Sequence, residues 1–586
     1  MEYSKIASTY EQMDITSKRI LLTNYLAELF KSTPVKIIDK VVYLTQGKLY
    51  PDFEGIEIGI ADKLVIRVLS DISGLSKNKI DDLYKKLGDI GLVAQKLLKK
   101  KQQTTLFSQP LTFERVYTTL EKIAKTAGVG SLDFRLNYLR SLLNDASPEE
   151  SKHILRMVTG RLRLGIADYT VLDALSIAFT DDKNNRIFLE KAYNLTSDLG
   201  KVAKTVALLG LDGIKKIKIK VGNPIRPMLA ERLETPKQIL EKLGGSCAVE
   251  YKLDGERIQV HKKDQKVNLF SRRLENITKH YPDAIKLVRD YVKAKNGIFE
   301  GEIVVINEDT GEYLAFQDIM HRRRKHGIKK AMQQYPIALN FFDVLFADKV
   351  DYTSKPYFKR RPVLLENIQQ HDGIKIIRSI VADKVNLIEN FMQQAISDGC
   401  EGLVAKDLNS VYRAGAREFA WIKLKREYNS ELNDTIDLVI IGAFFGKGRR
   451  AGKYGTFVLA SYDRESNIFR SVTKIGTGFT DEDLIAFPKI LSPFRIPKKH
   501  NKVDSKIEAD VWFEPHFVLE IVASEVTLSP IHTTGWGSIR KGSGLALRFP
   551  KYVGRLRKDK APEDATTVNE ILKIYKSQLK KIRKIR

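Results

Sequence analysis

The sequence predicts a multidomain chain, α then α/β then β: an all-helical region, a mixed α/β domain and a small barrel of the OB-fold type. Three observations carry that expectation. Apolar residues recur at three- and four-residue spacing through about the first two hundred positions. The period drops to two, in short pieces, from about Pro227. From about Arg426 the strand-like runs are joined by glycine-rich turns. A length of 586 residues accommodates three large domains, and 43% apolar residues suffice for packed cores and argue against wholesale disorder.

The helical expectation covers residues 1–216. ITSKRILLTNYLAELFK, LTFERVYTTLEKIAKTAG, SKHILRMVTGRLRLGIADYTVLDALSIAF and NNRIFLEKAYNLTSDLGKVAKTVALLG all repeat with a helical period. GIKKIKIKVGNPIRPMLAE, with Gly222, Pro224 and Pro227, then marks a linker. Over 217–425, CAVEYK, ERIQVHKK, KVNLFSR, IFEGEIVVIN, ALNFFDVLF, GLVAKD and FAWIKLK read as strands, and PDAIKLVRDYVKAK and NLIENFMQQAIS as helices. Over 426–586, TIDLVIIGAFFG, YGTFVLASYD, FRSVTKIG, HFVLEIVASEVTLS and ALRFPKYVGRL are expected strands of a Greek-key barrel, followed by the basic helix ILKIYKSQLKKIRKIR.

Lys and Arg number 99 against 72 Asp and Glu, a net +27, which points to a polyanionic partner and first to nucleic acid. Two cysteines, Cys247 and Cys400, exclude a disulfide framework and a four-thiolate zinc site. The nine histidines form no HExxH or Cys/His cluster, so a tightly held zinc is not expected. No apolar run reaches membrane-spanning length, and MEYSKIASTYEQMD has no apolar signal region, so the expected setting is intracellular. GKGRRAGK at Gly446–Lys453 imitates a phosphate loop, but its glycine spacing is wrong and Tyr454 stands where a metal-binding hydroxyl belongs; it reads as a basic hairpin loop.

The informative segment is Glu250-Tyr251-Lys252-Leu253-Asp254-Gly255-Glu256-Arg257. Lys252 ends a strand, Asp254-Gly255 makes a tight turn, and a second strand begins, which allows the lysine to point into a cleft. Downstream come FSRR with Arg272, FEGEIVV with Glu302, FFDVLF with Phe342, EGLVAKD with Glu401 and Lys406, REFAWIKLK with Arg417, Trp421, Lys423 and Lys425, and RFPKYVGRLRKDK with Arg548, Arg555, Asp559 and Lys560.

In these motifs, and in their order, the chain resembles the ATP-dependent DNA ligases of the archaeal and eukaryotic replicative type. VTGRLRLGIAD and GNPIRPMLAE resemble segments of that family's helical DNA-binding domain and domain junction, so the resemblance covers nearly the whole chain. It implies a helical DNA-binding domain, an adenylation (nucleotidyltransferase) domain and an OB-fold barrel that together grip nicked duplex through phosphates. It also implies nick sealing in DNA replication, repair and recombination by a monomer, cytoplasmic and nucleoid-associated. RNA ligases and capping enzymes share the lysine chemistry but not the helical domain. NAD-dependent ligases carry a four-cysteine zinc site that this chain cannot build. A binder that had lost catalysis is disfavoured by the intact motif set.

By the same resemblance Lys252 is the nucleophile that takes AMP from ATP. A lysine at its reference pKa is neutral in only about one part in 2,500 at pH 7, so nearby cations and a partly dry cleft are expected to favour the free amine. Arg257, Lys423, Lys425 and a metal ion are the expected charges. Lys423 and Lys425, two apart on a strand, share a face and would meet the α-phosphate. Glu302 would hold the ribose hydroxyls or a metal, and Glu401 would bind Mg²⁺. Phe342 would stack on adenine, Glu250 would meet its edge, and Arg272 and Arg417 would clamp ribose and phosphates. Arg161 and Arg163 are candidates for gripping DNA. Gln103–Phe107 resembles the short sliding-clamp contact of archaeal ligases, although it lacks the full spacing and has a single aromatic.

Overall fold

The computed structural model describes every residue except 100–109, 307–318, 321, 323–326, 399, 426–434, 447–449, 451, 524, 549 and 584–586. The sliding-clamp candidate Gln103–Phe107 and most of the basic loop after Gly446 lie outside the described residues. Packing divides the chain into two compact units, one of Met1–Val68 with Lys101–Arg426 and one of Leu69–Lys100 with Glu427–Arg586.

The helices of the N-terminal region are α1 (Tyr3–Asp14), α2 (Arg19–Ser32), α3 (Ile38–Thr45), α4 (Asp62–Ser73), α5 (Lys77–Leu87), α6 (Ile90–Leu98), α7 (Phe113–Lys125), α8 (Ser131–Asp145), α9 (Pro148–Val158), α10 (Asp168–Thr180), α11 (Arg186–Thr196) and α12 (Leu199–Lys215), the last kinked at Gly210. In α7 the spacing does what it predicts: Phe113, Val116, Tyr117, Leu120 and Ile123 form one buried face, and the Thr112 side chain caps the first turn. Ser147 and Glu150 cap α9 reciprocally, with Pro148 at its first position. One expected helix is broken. The run from SKHILRM to LSIAF stops at Val158 and restarts at Asp168. Between them Gly160, Arg163 and Gly165 take left-handed backbone conformations with φ of 67°, 57° and 70°, which no α-helix contains.

The segment expected to be a linker begins in the last residues of α12 and has no helix or strand from Lys216 to Met228, yet it is stitched down. Gly222 N–H donates to His261 Nδ1 (2.9 Å), and the Gln259 amide accepts from Ile225 N–H (2.7 Å) and donates to its carbonyl (3.0 Å).

The α/β region carries β1 (Leu229–Arg232), β2 (Cys247–Lys252), β3 (Glu256–Lys263), β4 (Lys266–Ser271), β5 (Asn296–Val305), β6 (Ile337–Ala347), β7 (Val350–Asp351), β8 (Ile374–Ile376), β9 (Ser379–Ala382), β10 (Gly402–Lys406) and β11 (Arg417–Lys425). One sheet runs β1-β11-β10-β2-β9. The other runs β4-β3-β5-β6-β7, with β8 also on β6. Their pairing is antiparallel except for β1 with β11 and β6 with β8. Alternation in β5 and β6 explains how they stack. Ile298, Val304, Ala338, Phe342 and Leu345 meet Val249, Tyr251, Leu403, Ala405, Ile422 and Leu424 of the first sheet. Phe299, Ile303, Leu339 and Phe341 lie in a separate cluster with Val260, Leu269, Tyr281 and Val288.

In the second unit β12 (Ile436–Phe445), β13 (Tyr454–Asp463) and β14 (Ile468–Ile475) form a meander, followed by the two-residue strands β15 (Arg495–Ile496) and β16 (Val503–Asp504). β12 pairs with β13 on one edge. On the other it pairs with β17 (Val511–Phe513) near one end and β18 (Val518–Val522) near the other, so the sheet curls as in an OB-like barrel. Two expected strands are divided: HFVLEIVASEVTLS into β18 and β19 (Glu525–Ser529), and ALRFPKYVGRL into β20 (Gly544–Arg548) and β21 (Lys551–Arg557). Pro550, which has no N–H for a ladder, stands in the second gap. Helix Asp481–Leu491, opened by a Thr480–Asp483 capping box, was not expected from the sequence.

Among the described residues no helix is long and apolar enough to cross a membrane.

Candidate active site

Lys252 is the last residue of β2, and the turn after it has a steric reason for its glycine. A Cβ on Gly255 would lie 2.3 Å from the Ile303 carbonyl oxygen of β5. That close approach lets Gly255 N–H donate to Glu302 Oε1 at 2.9 Å. β10 lies between β2 and β11, and its Gly402 is opposite Lys252 on one side and Lys425 on the other. Glu401, one residue earlier, donates its N–H to the Lys252 carbonyl (2.8 Å). Its carboxylate bridges the two lysines: Lys252 Nζ donates to Oε2 and Lys425 Nζ to Oε1.

Burial pushes the Glu302 carboxyl up to about 7, against the pull of Lys252, the Gly255 N–H and Arg257. Burial would also raise Glu401, but Lys252 and Lys425 outweigh it and hold that carboxyl below the usual range. Lys423 is lowered by burial and by repulsion from Arg417, Lys425, Lys252 and Arg272. Lys252, Glu302, Glu401, Lys423 and Lys425 therefore form one electrostatic cluster, with Arg272 and Arg417 as its exposed members.

The other expected residues form a buried layer. Glu250 is 2% exposed; its Oε1 accepts from Tyr357 Oη (2.5 Å) and Arg361 Nη1 (3.2 Å), and its Oε2 pairs with Lys406 Nζ (2.7 Å). The Lys406 ammonium also sits 4.9, 5.1 and 4.4 Å from the ring centroids of Phe342, Tyr357 and Trp421. Arg257 donates from Nη1 to the Met228 carbonyl and from Nη2 to Glu300 Oε2, both at 2.7 Å, and lies over the Phe342 and Trp421 rings. Phe342 is buried in the core between the sheets.

Tyr357, Arg361, Glu300 and Met228 were not singled out from the sequence. Only Glu300 carried a signal: two positions before Glu302 on a strand, it shares that residue's face. Arg161 pairs with Asp62 at 2.9 Å, and Arg163 lies in the left-handed loop, so neither is on a helix face. Among the described residues, Glu11, Asp14 and His153 are the group of three ligand types close enough to share an ion. Lys152 and Arg156 already occupy it, through contacts of 2.6–2.8 Å to Glu11 and Asp14.

The chain is 51% identical over 591 residues to DNA ligase 2 of Thermofilum pendens, covering 99% of this chain and 98% of that protein. It is 51% identical over 580 residues to the DNA ligase of Nitrosopumilus maritimus, covering 99% of both. The chain belongs to the ATP-dependent DNA ligases. Family models described as DNA ligase N terminus, ATP dependent DNA ligase domain and ATP dependent DNA ligase C terminal region match residues 2–176, 227–425 and 450–560 of the ligase. A solved structure named Pmar-Lig_PreS3, 17% identical, superposes with a TM-score of 0.53 over 94% of the ligase and 99% of that chain, a likeness of fold. The ligase thus has a helical N-terminal domain, an adenylation domain and an OB-like C-terminal domain, and it uses ATP to seal nicks in double-stranded DNA. The RNA-ligase and capping alternatives are not favoured.

Proposed function

We propose that Lys252 carries AMP between ATP and the 5′ end of the nick. The observation that carries this reading is the Glu401 carboxylate, which holds the Lys252 and Lys425 ammonium groups side by side at the strand end. One sheet thus presents a nucleophile and a phosphate-binding cation side by side, and Lys252 must leave Glu401 and lose its proton before it reacts. In the first step the free amine of Lys252, its proton lost to water, attacks the α-phosphorus. A nitrogen–phosphorus bond forms, the bond to the β-phosphate bridging oxygen breaks, and pyrophosphate leaves. In the second, an oxygen of the DNA 5′-phosphate attacks that phosphorus and Lys252 departs. In the third, the 3′-hydroxyl attacks the activated 5′-phosphorus and AMP leaves.

Lys423 and Lys425 meet the α-phosphate, and Arg272 and Arg417 the outer phosphates and ribose. Phe342 and Arg257 support the base, and Glu250 meets its edge. Three donors already hold Glu250, and a carboxylate has about four lone-pair sites, which leaves one for the adenine amino group. Glu302 fits a divalent cation, because burial has made charge on it costly, a cost that such an ion relieves; Glu401 would join it once the Lys252 and Lys425 ammonium groups turn from its oxygens to the nucleotide. Mg²⁺, when bound there, neutralises phosphate charge.

The functional divisions are 1–216, 217–425 and 426–586, the acting species is one chain, and its setting is the nucleoid. Nicked duplex is held through phosphates by the surplus of +27, with Gln103–Phe107 as a sliding-clamp contact.

The test is incubation with α-labelled ATP and Mg²⁺ followed by a denaturing gel. Wild-type protein should carry label and Lys252→Ala none, while Lys252→Ala should still seal a nick whose 5′ end is already adenylylated. Substantial labelling of the variant would move the nucleophile elsewhere.

A further inference from the structure

Between the helical domain and β1 the chain runs through Ile225-Arg226-Pro227-Met228, and each of these residues except Pro227 is held by polar contacts from its surroundings. Arg226 Nη1 donates to Asp168 Oδ2 (3.0 Å), the carboxylate that also accepts from Tyr193 Oη (2.6 Å) and Gln46 Nε2 (3.0 Å). The Arg226 guanidinium lies 4.7 Å from the Tyr193 ring centroid. Its backbone N–H donates to the Asn194 carbonyl (2.8 Å), and its carbonyl accepts from Gly415 N–H (3.1 Å). Two residues later, Met228 N–H donates to Tyr412 Oη (2.9 Å), and its carbonyl accepts from Arg257 Nη1 (2.7 Å).

We infer that Arg226 is a positioning residue for adenylation: through it, Asp168 and Tyr193 of the helical domain fix the Met228 carbonyl that aims Arg257. The inference rests on the reading that Arg257 serves the nucleotide.

The connecting peptide is stiff enough to transmit position. Pro227 has its φ locked and confines Arg226 to extended conformations, so the anchor at Arg226 and the carbonyl at Met228 move together. At the receiving end Arg257 has few alternatives. Among the described residues its acceptors are Glu300 and the Met228 carbonyl, and its Nε is buried without a hydrogen-bond partner. With the carbonyl displaced, a single contact to Glu300 leaves the guanidinium free to swing against Phe342 and Trp421. Gly415 keeps the junction tight, since a Cβ there would meet the Asn194 side chain at 2.6 Å. The helical domain therefore acts on the nucleotide site as well as presenting a surface to DNA.

The test uses the full chain without DNA and measures self-adenylation rate against ATP concentration. Arg226→Met and Asp168→Asn should each raise the KM for ATP about tenfold, the effect of one charge-assisted hydrogen bond, with the maximal rate little changed. Arg226→Lys should recover part of the loss, and Asp168→Asn/Arg226→Met should be no worse than either single variant. Lys204→Ala, which removes a 3.2 Å ion pair with Asp39 elsewhere in the helical domain, should leave the KM unchanged. Arg257→Ala is the reference. If it raises the KM while the Arg226 and Asp168 variants do not, even if they melt earlier, the relay is overturned and the role of Arg257 stands. If Arg257→Ala leaves the KM unchanged, both readings fall together.

Discussion

Arg360→Met should destabilise the catalytic domain far more than a surface change would. The Arg360 and Asp343 side chains are 0% and 1% exposed and form a paired contact, Nε to Oδ1 at 2.8 Å and Nη2 to Oδ2 at 3.0 Å. Arg360 Nη1 also donates to the carbonyls of Lys355 (2.8 Å) and Ser410 (3.0 Å). Methionine keeps much of the volume but strands the Asp343 carboxylate in the core beside Phe342. Removing one partner of a buried ion pair costs about 3–5 kcal/mol. Burial works to raise the Asp343 carboxyl, and Arg360 and then Lys406 hold it below the ordinary range. Lys406 survives in the variant, which favours the lower end, about 3 kcal/mol. At about 2–4 °C per kcal/mol for a domain of this size, the melting transition should fall by roughly 6–12 °C. Calorimetry at pH 7 and pH 5 provides the assay. Without Arg360 the Asp343 carboxyl rises, so protonation relieves the strain and the deficit should shrink as the pH falls. Asp343→Asn/Arg360→Met should recover part of the loss. A deficit under about 1 kcal/mol, or a double variant no better than the single, would refute the uncompensated-charge argument.

Two further outcomes follow from the catalytic domain. Gly255→Ala places a Cβ 2.3 Å from the Ile303 carbonyl, a backbone atom that cannot turn aside. It should cost about 1–3 kcal/mol of stability and reduce AMP labelling by pulling the β2–β3 turn from Glu302, whereas unchanged labelling would mean that the turn tolerates the shift. His261 is pushed down to about 3 by burial, and its Nδ1 must stay unprotonated to accept from Gly222. Its folded pKa lies below its unfolded one, so its contribution is complete above about pH 6.5 and is lost as the pH falls towards 3, at up to about 1.4 kcal/mol per unit. Denaturant midpoints of wild type and His261→Gln between pH 7 and 5 should converge; parallel curves would show that His261 is not responsible.

Much of the adenylation domain's sheet structure was legible because short apolar runs bounded by turn residues mark strands that are buried against neighbouring layers. All seven strands expected between Cys247 and Lys425 form, and their apolar residues pack into one or other of two cores. The N-terminal helices were legible from their own period, but the break from Gly160 to Gly165 was passed over: Leu162, Leu164 and Ile166 recur there at every second position, between two strongly helical runs that carried the expectation across it. The line of Lys252, Glu401 and Lys425 could be anticipated only from motif order, because cross-strand register is invisible in a one-dimensional pattern. The partners of Glu250 were illegible for a plainer reason. Tyr357 and Arg361 lie 107 and 111 residues away, in YFKRRPVLLEN, where Pro362 disguises the helix Tyr357–Asn367. The segment expected to behave as a linker was misleading because prolines and lysines describe its composition, while His261, Gln259 and Asp168 determine its conformation.

The place of β10 between β2 and β11 also sets a schedule for synthesis. Lys252 is made 149 residues before Glu401, and Glu401 another 24 before Lys425. At about 5–20 residues per second, Lys252 therefore waits roughly nine to thirty-five seconds for Lys425 to be translated. Until β10 is made, β9 is the one neighbour of β2 among the described strands that has been synthesised, and then only after Ala382 has emerged. A nascent chain that ends before Lys425 lacks one of the two lysines that Glu401 bridges, so the cluster around Lys252 is complete only once β11 has been made.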